Sequence, residues 1–375
     1  MIIGLLVLLG VALSIIDNKS KYIFFYLILV MWIISSFTYG NADENIYMSR
    51  YLNLEAWKND TELLYYLLIK YSNVIKLSYV QFKMLTSAMQ LLLISVTVLK
   101  CSKKPNLVMI FYFIFPFMIN VTQMRNALAT SIFIFGAQFL IDELQNGYQV
   151  EKKFLSHNEI KYIMCIVVAA FIHTSAIFWI LLLIPLKFNE KIVLIWTAFI
   201  PILVVFFNST SLNKIFLVFG TSSRMSAYTT EAYSKTRALL MNGALFRTIL
   251  FAVIVYLLIF YLKTIKSVNR DVLFLLKLNT ILLTVIPIIY FYTPEMYRVQ
   301  VDTSILIYII GFNQLLGIDS HKFNHLIIPV KNCVILFMLL LLSGLSLYFL
   351  IIRRNFEAVI YPIFNYNLFV DALVN

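Results

Sequence analysis

Apolar runs about as long as a membrane is thick recur along most of the chain, and short polar stretches separate them. A transmembrane helix needs about 20 mainly apolar residues, because each residue adds about 1.5 Å and the hydrocarbon core is about 30 Å thick. The pattern therefore predicts an all-α polytopic integral membrane protein of about 10–12 transmembrane helices. The predicted segments are 1–16, 22–39, 81–99, 107–119, 124–141, 192–207, 245–262, 272–292, 299–316 and 333–352.

The apolar stretch 160–186 is longer than one upright span requires, and lysines flank it at Lys161, Lys187 and Lys191. We interpret it as two half-helices, each about 20 Å long, that reverse direction near His173. A single tilted helix is the alternative. The choice decides which side of the membrane every later segment faces.

Two polar segments, about 40–80 and about 208–244, interrupt the apolar pattern. In the first, leucines and tyrosines recur at helical spacing from Glu62 to Ile75, which predicts an amphipathic helix on the membrane surface. In the second, basic residues alternate with tyrosines, a composition that suits phosphate and sugar ligands. A solvated loop is the alternative there. No repeat or linker divides the chain, so residues 1–375 are expected to form a single transmembrane domain.

The distribution of basic residues orients these segments. If the N-terminus lies outside and 160–186 is a hairpin, the inner connections hold 15 Lys and Arg in 58 residues, against 13 in 116 outer residues. Cytoplasmic loops carry this kind of excess. Both polar segments, 40–80 and 208–244, then face outward.

Composition excludes a soluble protein and most familiar enzyme classes. The chain is 61% hydrophobic and 13% charged, with a mean hydropathy of +0.87, more apolar surface than a soluble domain can bury. The net charge of +12 is assigned to inner lysines and binding-site arginines, not to a nucleic-acid surface. No nucleotide-binding loop or metal-ligand pattern is present, so neither cofactor nor metal is expected. The spacing of His321 and His325 fits a metal pair, but an interfacial loop is the preferred interpretation.

Several ionisable residues lie inside or at the ends of apolar runs, where a charge is costly unless it has a partner or a watery cavity. Arg125 begins one run and His173 lies in the middle of another. Lys83 and Lys277 lie a few residues inside their runs, and we interpret them as snorkelling to the interface. Asp302 follows Arg298 by one turn, which fits a local helix pair as well as a site.

In the predicted topology one group of polar residues faces a common outer cavity. Several arginines there indicate a polyanionic ligand, because the guanidinium fork matches phosphate oxygens. A histidine beside them suits proton transfer. The group comprises Asp43, Tyr47, Glu62, Arg125, His173, Arg224 and Arg298.

The order of these residues resembles the motifs of the EpsG group of Wzy-type polysaccharide polymerases, over roughly residues 35–315. Family members often carry an arginine shortly before the first aspartate, and SSFTYGNAD has none. The matching motifs are Asp43 and Tyr47 in NADENIY, Glu62 in TELLYYLL, Arg125 in MRNALATSIFIFGAQFL, His173 in FIHTSAIFWI, the tyrosine-bearing loop SRMSAY, which contains Arg224, and Arg298 in MYRVQVD.

The resemblance implies a glycosyltransferase of the bacterial cytoplasmic (inner) membrane that polymerises undecaprenyl-pyrophosphate-linked repeat units of an O-antigen, capsule or exopolysaccharide. His173 and Asp43 would be the catalytic acid/base candidates. Arg125, Arg298, Arg224, Tyr47 and Glu62 would bind pyrophosphate or glycan. A chain-length regulator and a flippase would be its protein partners. A flippase or transporter of lipid-linked sugars, or a glycan ligase, is the alternative, although the internal repeats common in transporters are absent.

Overall fold

The computed structural model describes residues 2–57, 62–145, 155–206, 231–265, 269–291, 297–315 and 330–374. Within these ranges the chain is helical and contains no strand, apart from an isolated β-bridge between Thr38 and Asn367. By length and composition, five of the described helices can cross a membrane: Tyr79–Cys101, Pro105–Thr122, Met124–Leu144, Gly243–Thr264 and Val330–Ile352. Three shorter apolar helices are Ile2–Ile16, Lys21–Phe37 and Thr174–Leu186. The prediction of an all-α polytopic membrane protein is confirmed.

The N-terminal half consists of apolar helices with two short helices inserted after the second. Local capping explains several starts: Ser78 and Gln81 cap one helix reciprocally, Ser156 and Glu159 cap another, and Pro105 occupies a first turn. The helices are α1 Ile2–Ile16, α2 Lys21–Phe37, α3 Glu44–Leu52, α4 Leu63–Val74, α5 Tyr79–Cys101, α6 Pro105–Tyr112, α7 Met118–Thr122, α8 Met124–Gln145 and α9 His157–Ile172. The amphipathic helix predicted from Glu62 to Ile75 is α4.

Later helices complete the bundle. After α9 a 3₁₀ helix, Thr174–Leu182, leads into the helical turn α10, Leu183–Leu186. The following helices are α11 Glu190–Phe206, α12 Glu231–Thr264, α13 Asn269–Phe291, α14 Arg298–Asn313 and α15 Val330–Leu347, before short turns at 348–374. The apolar segment predicted at 245–262 is thus the later part of a helix that begins at Glu231. Residues 231–244 of the predicted outer segment 208–244 are thus helical, and its residues 208–230 lie outside the described part.

The stretch 160–186 forms the predicted hairpin. His173 has an extended backbone (φ −146°, ψ 115°) that ends α9. The Tyr162 hydroxyl donates to the Trp179 carbonyl at 2.6 Å, and Lys187 lies 2.6 Å from Glu159. In one straight helix Glu159 and Lys187 would be about 42 Å apart. The single tilted helix is therefore excluded, although the second arm is largely 3₁₀ and not the predicted α-helix.

Predicted inner connections meet at one end of the bundle. Lys100 pairs with Asp142, Lys263 pairs with Glu190, and the Asn313 amide donates to the Cys101 carbonyl at 2.7 Å. The predicted outer segment 40–80 lies at the other end, next to the C-terminal residues 353–374, where the Ala42 amide donates to the Ala358 carbonyl at 3.1 Å. The predicted inner connections thus lie together at one end of the bundle and the first outer segment lies at the other, as the predicted topology requires.

Two lysines that were expected to snorkel are instead buried. Lys83 is 3% exposed, donates to the Thr38 carbonyl and forms an ion pair with Glu44 at 2.8 Å. Lys277 is 2% exposed and donates to the Leu186 carbonyl at 2.8 Å. The snorkelling interpretation is wrong because protein acceptors satisfy both ammonium groups inside the bundle.

The sidedness of the bundle is a testable prediction. Reporter fusions after Lys104 and Lys187 should give cytoplasmic signals, and a fusion near Asn53 should give an outer signal, because basic residues concentrate in the inner connections. A further fusion at Ser223 tests the side of Arg224, which lies outside the described residues. A cytoplasmic signal at Asn53 would contradict the topology.

Candidate functional site

A buried glutamate joins two of the predicted site residues. Glu62 immediately precedes α4, and its carboxylate makes no capping hydrogen bond to that helix. The side chain is fully buried and turns inward. Its Oε2 accepts from Arg125 Nη1, and its Oε1 accepts from His173 Nδ1 at 2.6 Å. A single carboxylate therefore fixes an arginine and a histidine relative to each other.

His173 occupies the tip of the hairpin because the chain reverses there. Its backbone N–H closes the last turn of α9 on the Ala169 carbonyl at 2.8 Å. Donation from Nδ1 to Glu62 fixes the ring orientation and leaves Nε2 as the lone-pair nitrogen. Among the described residues no group forms a hydrogen bond with Nε2. This arrangement equips the ring to accept a proton.

Arg125 lies in the first turn of α8, after the non-helical residue Gln123 (φ −110°, ψ 58°) that separates it from α7. The guanidinium carbon is 5.8 Å from the centre of the Tyr47 ring, within the range of a cation–π interaction. The ring, on α3, is itself buried. Tyr47 and Glu62 thus hold the guanidinium from two sides. A guanidinium has five N–H donors, so it can hold Glu62 and still bind an anion.

A second buried carboxylate, Asp302, connects the elements that carry the site. It lies one turn after Arg298 at the start of α14. Its Oδ1 accepts from the Thr130 hydroxyl at 2.7 Å, and its Oδ2 accepts from Trp179 Nε1 at 3.4 Å. Thr130 is on α8 and Trp179 is on the second hairpin arm, so Asp302 ties together the helices of Arg125, His173 and Arg298.

Sequence reasoning left two interpretations of Asp302 open, a local helix pair with Arg298 and a site. Its observed partners Thr130 and Trp179 are 172 and 123 residues away along the chain. The only signal available in the sequence is a carboxylate inside an apolar run, which indicates a partner without naming it. Arg298 is close enough for its charge to act on both Asp302 and His173.

Two predicted site residues remain, Asp43 and Arg224. Asp43 is half-buried at the N-terminus of α3, where its carbonyl accepts from the Tyr47 amide at 3.0 Å. The adjacent Glu44, not Asp43, is the carboxylate that pairs with Lys83. Arg224 lies outside the described residues. The catalytic role of Asp43 and the binding role of Arg224 stay predictions.

Metal ligands do not cluster in the described part of the chain. No group of three or more His, Cys, Asp or Glu side chains there is arranged to hold a metal ion. The pair His321 and His325 lies outside these residues. The contacts described above join protein side chains to each other: Glu62 to Arg125 and His173, and Asp302 to Thr130 and Trp179.

Comparison with known proteins gives one match. A family model described as the EpsG family matches residues 21–368, nearly the whole chain. No curated protein and no solved structure matches the chain. The matched range includes every residue of the site described above.

Proposed function

The chain belongs to the EpsG family, and from this premise we propose that it joins oligosaccharide repeat units carried on undecaprenyl pyrophosphate. The family supports a polysaccharide polymerase-type role in general. The lipid-linked donor, the release of undecaprenyl pyrophosphate and the outer face of the bacterial cytoplasmic membrane as the place of reaction are parts of the proposal.

The proposed reaction is a direct displacement at an anomeric carbon. A hydroxyl of the new repeat unit attacks the anomeric carbon of the growing glycan. The bond from that carbon to the pyrophosphate oxygen breaks, and the hydroxyl proton passes to His173 Nε2. Undecaprenyl pyrophosphate leaves with the bonding electron pair, and Arg125 and Arg298 stabilise its developing charge. The product remains on the lipid of the new unit.

The observation that carries the proposal is the carboxylate of Glu62 shared between Arg125 and His173. The reaction needs an anion-binding group near the leaving pyrophosphate and a proton acceptor near the attacking hydroxyl. Both groups must keep their geometry, because small displacements of catalytic groups are costly in rate. Glu62 supplies that constraint, as the third member of a catalytic triad orients its histidine.

Other residues are assigned supporting roles in the proposal. Tyr47 would hold the Arg125 guanidinium in place for binding pyrophosphate or glycan. Arg224 would add positive charge from the second outer segment. Asp43 is the second acid/base candidate. A flippase and a chain-length regulator would supply the substrate and set the product length.

A purified system tests the proposal against its rivals. The protein is reconstituted in vesicles with undecaprenyl-pyrophosphate repeat units, and products are separated by size. We expect a ladder of lengthening glycans and one undecaprenyl pyrophosphate released for each bond formed. Movement of substrate between leaflets without new glycosidic bonds would indicate a transporter instead. Transfer only to a different acceptor would indicate a ligase.

Removing the charge of Glu62 is expected to destabilise the protein as well as inactivate it. Glu62→Gln leaves the largely buried Arg125 without its counter-charge, and breaking a buried pair costs about 3 kcal/mol or more. Thermal unfolding of the purified protein measures the effect. Glu55→Gln, an exposed glutamate of the same outer segment, is the matched control. Equal melting temperatures for wild type and Glu62→Gln would contradict the role of Glu62 in holding the site.

A further inference from the structure

An apolar cavity of about 150 Å³ lies between the second hairpin arm, α11 and α13. It is separate from the polar site, and no residue in its lining belongs to the proposed chemistry. The residues that define it are Leu181, Pro185, Phe188, Val193, Trp196 and Ile281.

The cavity opens towards the surface that meets lipid. Ile184 and Trp196, which also line it, are 56% and 44% exposed, whereas Val193 and Ile281 are buried. Exposed apolar side chains of this size on a transmembrane bundle face hydrocarbon. A ligand can therefore enter sideways from the bilayer.

The polar atoms in the cavity wall are already satisfied by protein. The Thr280 hydroxyl lies 3.0 Å from the Thr197 hydroxyl and donates to the Leu276 carbonyl at 2.9 Å. The Thr284 hydroxyl donates to the Ile281 carbonyl at 2.6 Å. The wall therefore offers a hydrocarbon surface, and a water molecule inside would lack the polar partners that it requires.

The hairpin connects this cavity to the polar site. His173 begins the arm whose later residues, from Leu181 onward, form one wall. A 3₁₀ helix rises about 2.0 Å per residue, so the cavity starts about 16 Å along the arm from His173. A molecule with its headgroup beside His173 and a long hydrocarbon tail can reach it within the thickness of the bilayer, about 30 Å.

We propose that this cavity binds part of the isoprenoid chain of the lipid-linked substrate. The proposal rests on the proposed function, which places pyrophosphate near Arg125 and His173. Binding the chain here would align the pyrophosphate with the site at the hairpin tip and would select long isoprenoid carriers over short ones. A phospholipid acyl chain has related chemistry, so the experiment must separate the two.

Photochemical labelling tests occupancy without requiring catalysis. The full-length protein is placed in phosphatidylglycerol nanodiscs with undecaprenyl phosphate that carries a diazirine in its tail. We expect adducts on peptides covering 181–188 and 193–196, and an excess of unlabelled undecaprenyl phosphate should suppress them. Adducts spread over all lipid-facing helices, or adducts that the competitor does not suppress, would indicate bulk lipid and overturn the proposal.

Kinetics with two substrates that differ in the length of their isoprenoid chain tests whether that chain binds in the cavity. Thr284→Phe reduces the cavity, and we expect KM for the undecaprenyl substrate to rise about tenfold, the equivalent of about two unburied methylene groups. KM for a substrate with a geranyl chain should stay unchanged. Val253→Phe, at a lipid-facing position of α12 outside the cavity lining, is the control. If Thr284→Phe does not fold, Ile184→Trp at the rim replaces it.

The outcomes separate this proposal from the function on which it rests. If KM depends on the length of the isoprenoid chain in the same way in wild type and in Thr284→Phe, only the proposal of a tail site is overturned. Absence of glycan product from wild-type protein with either substrate would overturn the proposed function. In that second case, specific photolabelling at 181–188 would still support an isoprenoid-binding cavity.

Discussion

His173→Ala is expected to slow polymerisation by about 100- to 10,000-fold, the usual contribution of a general base, while the protein stays folded and inserted. The expectation follows from the geometry of the ring. Nδ1 is held by Glu62 at 2.6 Å, which leaves Nε2 to accept the proton of the attacking hydroxyl. Alanine removes the acceptor, but Glu62 keeps its ion pair with Arg125. The buried carboxylate therefore retains a counter-charge, and large-scale unfolding is not expected.

In cells the loss should appear as glycan capped with a single repeat unit in place of a ladder. His157→Ala is the matched control, because His157 is an exposed histidine at the start of the same half-helix. Membrane-fraction immunoblots establish equal expression of both variants. A normal ladder from normally expressed His173→Ala protein would leave the histidine with a packing role only.

The sequence was sufficient to predict the hairpin and to predict that Arg125 and His173 lie in one site. The apolar stretch 160–186 is longer than one upright span requires, and its flanking lysines favour a return to the same side. An ionisable side chain inside the membrane is costly unless it has a partner or faces a watery cavity. For this reason His173 and Arg125, which lie in or beside apolar runs, could be identified as candidate site residues. Their common partner, Glu62, belonged to the predicted group, although its place between them was not predicted.

Pairings between distant residues were beyond the reach of a single sequence. Lys83 resembles an interfacial lysine by position alone, and the carboxylate that holds it lies 39 residues earlier, at Glu44. Asp302 likewise depends on Thr130 and Trp179 from two other elements. Nothing in the local pattern encodes such contacts, because packing of the complete bundle decides which faces meet.

The start of α12 shows a different limit. Hydropathy locates the apolar part of a helix that crosses a membrane, and this part was predicted at 245–262. The helix itself begins at Glu231, in a stretch rich in polar residues. Apolar periodicity contains no signal for such a polar extension. The polar first part of α12 was therefore not predicted, whereas the membrane segment was found, at Gly243–Thr264.

Arg125→Lys is expected to lower the polymerisation rate by about 100- to 1,000-fold, the cost of losing one preorganised contact to a developing anion. Lysine keeps the positive charge and can still pair with Glu62, so the buried carboxylate remains compensated. What it loses is the planar fork that binds two oxygens of one phosphate group. The lysine variant is therefore a sharper test than Arg125→Ala, which would also remove the ion pair of Glu62 and weaken the fold.

The role of Arg125 is decided by comparing the thermal stability of the Arg125→Lys protein with its polymerisation rate. We expect Arg125→Lys to melt close to the wild-type temperature and yet to make no long products from lipid-pyrophosphate repeat units. Arg270→Lys, an exposed arginine at the predicted inner end, should behave as wild type in both measurements. If Arg125 only anchors α8 at the interface, lysine should serve equally well, because either side chain can reach the headgroups. Full activity of Arg125→Lys would thus exclude the fork, and full activity of Arg125→Ala would remove the residue from the site.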